Sequence, residues 1–139
     1  MNQVENNMTK DISILLIDDS DVDNFINKAI ISKEENISQI TVKTSGLDAL
    51  AYLNAIIEKK EAFPDVIFLD IKMPRMNGFE FLDEYLKLPE DLKNHCKVYL
   101  LSSSLDSLDS EKGGKYYVVK KQLTKPLAHH QISELLLED

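Results

Sequence analysis

Apolar residues along the chain fall into two recurring patterns. Short runs that are apolar at nearly every position occur at Ile12-Ser13-Ile14-Leu15-Leu16-Ile17, Val66-Ile67-Phe68-Leu69 and Val98-Tyr99-Leu100-Leu101. Runs of this kind predict strands, the first of them buried and the one at Val66, partly β-branched and apolar on both sides, suited to the centre of a parallel sheet covered by helices on both faces. Residues 37–43 alternate instead, with Ile40 and Val42 apolar and Thr41 and Lys43 polar, which predicts a strand. A fifth strand is expected from Tyr116 to Leu123. Between these runs the period changes. Val22, Phe25, Ile26, Ala29 and Ile30 recur at helical spacing, the strongest such signal in the chain, with Ser20 or Asp21 as N-cap. A second helix opens at Ser45-Gly46 and carries Leu47, Leu50, Ala51, Leu53 and Ile57. A third follows Asn77-Gly78, with Phe79, Leu82 and Leu86 on one side, and Pro89 ends it. Residues 90–97 read as a polar connection. Residues 105–112 form a short fourth helix broken by Gly113-Gly114, and a last helix carries Ala128, Ile132, Leu135 and Leu136. Five strands thus alternate with five helices, an α/β pattern that gives a doubly wound parallel sheet with right-handed crossovers.

Length and composition narrow the function without naming it. The chain has 139 residues, 43% hydrophobic and 29% charged, which suits one soluble domain with a proper core. Its net charge of −8 argues against direct DNA binding, because the nucleic-acid backbone is held by clustered cations. Lys121 and Lys125 make only a small basic spot. A single cysteine, Cys96, rules out an internal disulfide framework. No apolar run approaches the ~20 residues that span a bilayer. Residues 1–10 are polar, lack the apolar core of a signal peptide, and are expected to form a flexible tail. A cytoplasmic location with no membrane partner follows as the default.

The chemistry gathers at strand ends. The first strand stops at Asp18-Asp19, the third at Asp70, the fourth at Ser102-Ser103-Ser104, and the fifth runs into Lys125-Pro126. In a parallel sheet these ends share one edge, which is where open α/β sheets keep their working residues. Three neighbouring carboxylates repel one another and call for a counter-charge. A hard divalent cation such as Mg2+, with oxygen ligands, is the natural one. A carboxylate is also a competent nucleophile toward phosphorus, provided the phosphoryl charge is neutralised. The metal and Lys125 would supply that neutralisation, and the Ser102 hydroxyl a hydrogen bond.

The pieces Leu16-Ile17-Asp18-Asp19-Ser20, Phe68-Leu69-Asp70-Ile71-Lys72-Met73-Pro74, Asn77-Gly78, Leu100-Leu101-Ser102-Ser103 and Thr124-Lys125-Pro126-Leu127 occur in order. Together they resemble the receiver domain of two-component response regulators, over nearly the whole chain. The resemblance implies a flavodoxin-like (βα)5 fold with strand order 2-1-3-4-5, residues 11–139 being the receiver domain. It implies Asp70 as phosphoacceptor, with Asp19 bound to Mg2+ directly, Asp18 mainly through water, and the Lys72 carbonyl completing the ligands. Ser102 would be the switch hydroxyl. Lys125 would bind phosphoryl oxygens, after which a cis Lys125–Pro126 bond is expected. The donor would be a sensor histidine kinase or a phosphotransfer protein. A downstream protein would bind the face of the fourth helix, fifth strand and fifth helix, on a stand-alone receiver acting as a monomer or a phosphorylation-dependent dimer. Two positions depart from the family's pattern. Gln122 stands where an aromatic residue is usual. Lys72 places a cation two residues after Asp70, where it is expected to alter the lifetime of the acyl phosphate.

Plainer readings exist for each residue. Asp18 and Asp19 also suit helix caps, Asp70 and Ser102–Ser104 ordinary turns, and Lys125 a surface cation. His129-His130 and His95-Cys96 lack the spacing of zinc sites. Two other functions are compatible with parts of the pattern. An aspartyl-phosphate hydrolase of the haloacid-dehalogenase type would need an acid at the position of Lys72. A pseudo-receiver, an unphosphorylated interaction module, usually lacks one of the acids or the lysine, all of which are present here.

Overall fold

The structure is a computed structural model that describes residues 11–103 and 107–137. The expected tail at 1–10, Ser104, and the expected start of the fourth helix lie outside the described residues. Strands β1 (Ile12–Ile17), β2 (Ile37–Lys43), β3 (Val66–Asp70), β4 (Lys97–Ser102) and β5 (Val119–Thr124) form one sheet in the order β2-β1-β3-β4-β5. All four pairings are parallel. The helices are α1 (Asp21–Ile31), α2 (Gly46–Ala55), α3 (Gly78–Tyr85), α4 (Glu90–His95), α5 (Ser107–Gly113) and α6 (His129–Leu137).

The all-apolar runs behave as their pattern requires. Successive strand residues point to opposite faces, and each face of the sheet has its own core. Leu15, Ile17, Ile67, Leu69, Val98 and Leu100 pack with α2 and α3 through Ala49, Leu53, Phe79, Leu82 and Tyr85. Ile14, Leu16, Val66, Phe68, Tyr99 and Leu101 pack on the other face against Ile31 of α1 and Ile132 and Leu135 of α6. Phe68 and Tyr99 stack there across β3 and β4.

Two local expectations are corrected. The polar connection at 90–97 contains a sixth helix, α4, with Pro89 at its N-cap. Leu92 and Cys96 are buried beneath it, enough to hold one and a half turns to the core. The fifth strand begins at Val119 rather than Tyr116. The two tyrosines are drawn out of the sheet by acids: the Tyr116 hydroxyl donates to Asp83 at 2.7 Å, and Tyr117 donates to Glu90 at 2.9 Å. Phe79 and Tyr116 also stack. Helix α1, present as expected, meets the sheet through a partly polar face. Its apolar stripe faces outward, with Val22 67%, Phe25 77% and Ile26 40% exposed. The buried positions are Asn24, Asn27 and Ile31. The reason is the inner wall that α1 must meet. Asn24 donates to the Asp18 carbonyl at 2.7 Å, and Asn27 accepts from the Leu127 amide at 3.1 Å. Both bonds satisfy backbone groups that would otherwise be buried without partners.

Candidate functional site

Alternation along the strands places the acids. Asp70 continues the series Val66, Phe68, and Asp18 continues Ile14, Leu16, so both stand at the carboxyl edge on the side of α1 and α6. The carboxylate oxygens of Asp18, Asp19 and Asp70 lie within 4.8 Å of one another. Asp18 and Asp70 are buried, and Asp19 is exposed. Asp18 is fixed at both oxygens. Its Oδ1 accepts from the Ser20 amide at 3.0 Å, and its Oδ2 from Lys125 Nζ at 2.8 Å. Ser20 itself caps α1 by accepting from the Asp23 amide.

The turn after β3 is shaped to let Asp70 end the strand cleanly. The Ile71 amide donates to the Leu101 carbonyl, and the Gly78 amide donates back to Ile71 at 2.7 Å. Arg75 takes φ 69° within this turn. A Cβ on Gly78 would lie 2.8 Å from the Asp70 carbonyl oxygen, so only glycine permits this approach. Asn77 caps α3 in a capping box with Glu80. Lys72 is exposed in the same turn, two residues past Asp70.

Lys125 arrives from the end of β5. Its amide donates to the Ser102 carbonyl at 2.8 Å, extending the β4–β5 ladder by one residue. The Lys125–Pro126 bond is cis, as the sequence resemblance implied. Ser102 ends β4 and is buried. Lys125 Nζ lies 2.8 Å from Asp18, 3.2 Å from Asp70 and 2.7 Å from Asp23. Asp23 is the residue that sequence reading missed. The signal was present: an acid one turn into α1, on the side of the helix facing the lysine loop, but nothing along the chain pairs it with a residue 102 positions away. Beside these groups lies a cavity of about 160 Å³, lined by Asp23, Ile26, Asn27, Ser103, Lys125 and Pro126.

Three carboxylates therefore contact one ammonium, and a fourth, Asp19, stands beside Asp18 and Asp70. Burial raises the Asp70 carboxyl to about 6 and the Asp18 charge adds to the rise, both outweighing the attraction of Lys125. Burial pushes the Lys125 ammonium down, but hydrogen bonds to Asp18 and Asp23 and the charge of Asp70 override it and leave it raised. The unrelieved negative charge and the all-oxygen donor set fit a divalent cation such as Mg2+. Gln122 carries another unmet demand: its buried amide oxygen and nitrogen find no hydrogen-bond partner among the described residues.

A 2-1-3-4-5 parallel sheet with an acid triad and a lysine at its carboxyl edge defines a domain built for Mg2+-dependent phosphoryl transfer onto a carboxylate. Residues 14–137 match the response regulator receiver domain, and the chain belongs to that family. It is similar to the crystal structure of a two-component response regulator from Cytophaga hutchinsonii, at 35% identity and TM-score 0.83, covering 94% of this chain and 100% of that one. A response regulator receiver protein from Dyadobacter fermentans matches at 29% identity and TM-score 0.74, over 89% of this chain and 94% of that one. An uncharacterized response regulatory protein of Staphylococcus epidermidis is 32% identical over 75% of this chain and 36% of its own length. The chain spans between about a fifth and a third of the curated relatives it matches. Receiver domains catalyse only their own phosphorylation and dephosphorylation, and the fold and acid cluster accord with that. Their partners are histidine kinases and phosphotransfer proteins as a class.

Proposed function

We propose that Asp70 accepts a phosphoryl group from a phosphohistidine on a sensor kinase or phosphotransfer protein, and that the acyl phosphate changes which partner the chain binds. The observation that carries this is the Asp70 carboxylate itself: buried, ending a central strand, and 3.2 Å from the Lys125 ammonium. One Asp70 oxygen attacks phosphorus. An O–P bond forms as the N–P bond breaks, and the bonding pair stays on the imidazole nitrogen. Lys125 holds phosphoryl oxygens, and the Ser102 hydroxyl donates to one of them. Asp18, Asp19, Asp70 and the Lys72 carbonyl would hold the metal. Bound Mg2+ supplies positive charge where phosphoryl oxygens gather. The Lys72 ammonium, two residues past Asp70, modulates how long the acyl phosphate survives.

The donor's approach is supported by α1. Val22, Phe25 and Ile26 form an exposed apolar face, and Ile26 also lines the cavity beside Lys125. A protein donor that covers this face brings its phosphohistidine to the cavity mouth. The downstream partner takes the face of α5, β5 and α6. A cavity of about 310 Å³ under α5, lined by Leu100, Gly113, Val119 and Gln122 among others, gives this face room to rearrange. Among the described residues no helix is long and apolar enough to cross a membrane. We place the domain in the cytoplasm, where phosphohistidine donors and a lone reduced cysteine both belong.

Acetyl phosphate with Mg2+ tests the chemistry. Intact-mass measurement is expected to show one added phosphoryl group, absent without Mg2+ and absent in Asp70→Ala. A wild type that stays unmodified, with acetyl phosphate and with a histidine kinase alike, would identify a pseudo-receiver. The docking face has its own check. Phe25→Asp is expected to slow transfer from a phosphohistidine protein at least tenfold and to leave acetyl phosphate labelling unchanged. Equal slowing with both donors would show damage to the site rather than loss of a docking surface.

A further inference from the structure

Lys125 has three ammonium hydrogens and three carboxylate neighbours. The shortest contact, 2.7 Å, is to Asp23, and the longest, 3.2 Å, is to Asp70. Asp18 and Asp70 have other employment as metal ligands, whereas Asp23 has none. We propose that Asp23 is a positioning residue that restrains Lys125 in the resting state and competes with the phosphoryl group for its ammonium. This rests on the receiver reading above.

The geometry gives the restraint its strength. Asp23 lies in the first turn of α1, whose N-terminus is fixed by Ser20 accepting from the Asp23 amide itself at 3.1 Å. Its carboxylate is tied to the helix frame and cannot follow Lys125 far. The Lys125 side chain is only 10% exposed and the Asp23 side chain 38%, so the contact sits at the mouth of the site and is weakly screened. When a phosphoryl group arrives, Lys125 must turn its hydrogens to the new oxygens. Each hydrogen retained by Asp23 is withheld from them. Asp23 also repels an incoming dianion directly, being a lining residue of the cavity next to Lys125. Competition and repulsion act in the same direction: both weaken capture of the phosphoryl group and shift the chain toward the unmodified state. A neutral side chain of the same shape removes the repulsion, weakens the competition because an amide oxygen holds an ammonium less strongly than a carboxylate does, and preserves the backbone bond to Ser20.

The test is a titration of the Mg2+-saturated protein with beryllofluoride, a non-transferable phosphoryl mimic, followed by NMR. Wild type, Asp23→Asn, Asp23→Glu and Asp21→Asn are compared. Asp21 is exposed on the same helical turn, and its substitution changes net charge equally without touching Lys125. Asp23→Asn is expected to bind the mimic three- to tenfold more tightly, with labelling by acetyl phosphate showing a lower KM at similar maximal rate. Asp23→Glu is expected to return toward wild type, and Asp21→Asn to match wild type. Unchanged or weaker binding in Asp23→Asn would overturn the proposal, as would equal tightening in Asp21→Asn, which would reveal a general field instead of a specific contact. Absence of binding in wild type would instead remove the receiver reading on which the proposal stands.

Discussion

At Asp70 the folded chain works against its own charge. The carboxyl is raised to about 6, mainly by burial and then by Asp18, from a value near 4 in an unfolded chain. Between these values the folded state holds a proton that the unfolded state has released, so ionisation of Asp70 costs stability as pH rises through 6. Below about pH 4 both states are protonated and the cost disappears. Asp70→Asn is therefore expected to stabilise the metal-free protein by roughly 1–3 kcal/mol at pH 8 and hardly at all at pH 3.5. Urea unfolding in chelator at the two pH values checks this; an equal gain at both would assign the effect to packing. Saturating Mg2+ is expected to stabilise wild type well above the Asn variant, since binding to the folded state alone adds free energy. The same unrelieved charge thus disfavours the empty site and favours the loaded one.

Elements show how far a one-dimensional pattern reaches. Strand limits were legible because β1, β3 and β4 are apolar at almost every position and end on polar residues. The acid triad and Lys125 were legible because strand ends in a parallel sheet share an edge. Less was legible wherever a side chain's partner is remote. The period of Val22, Phe25 and Ile26 marks a helix, but it does not say which face turns inward, and Asn24 and Asn27 took that face through backbone bonds to Asp18 and Leu127. Six residues are too few to show the period of α4. Tyr116 and Tyr117 look like strand residues until Asp83 and Glu90 are placed beside them. Asp23 belongs to the same class of omission. Where the chain approaches itself closely, the consequence is testable. At Gly78 an added Cβ would meet backbone atoms of Asp70 and Ile71 at 2.8 and 3.0 Å. Gly78→Ala is expected to cost about 2–4 kcal/mol, because neither neighbour is a movable side chain. Asn77→Ala, which loses only the α3 capping box, is expected to cost about 1 kcal/mol. Thermal or urea unfolding orders the two, and a cheaper Gly78 change would show that the turn can relax.

At the scale of the molecule the two ends of the sheet differ in kind. The carboxyl edge carries Asp18, Asp70, Ser102 and Lys125. The opposite edge is closed by polar contacts, among them His95 with Asp65 at 2.8 Å, whose other oxygen accepts from the Ser13 amide. Beryllofluoride with Mg2+ is expected to shift amide resonances at Ser103, α5 and β5 strongly and those of α4 weakly. Uniform shifts would contradict a response confined to the face of α5, β5 and α6.

The two tyrosines ahead of β5 bear on the form of that response. Tyr116 is held by Asp83 of α3 and Tyr117 by Glu90 of α4, both just beyond the last residue of α5. A segment pinned at one end and loaded at the other behaves as a lever on a fulcrum. If phosphorylation of Asp70 displaces Ser102, α5 is expected to swing about the two phenols, most widely at the end of the helix nearest the carboxyl edge of the sheet.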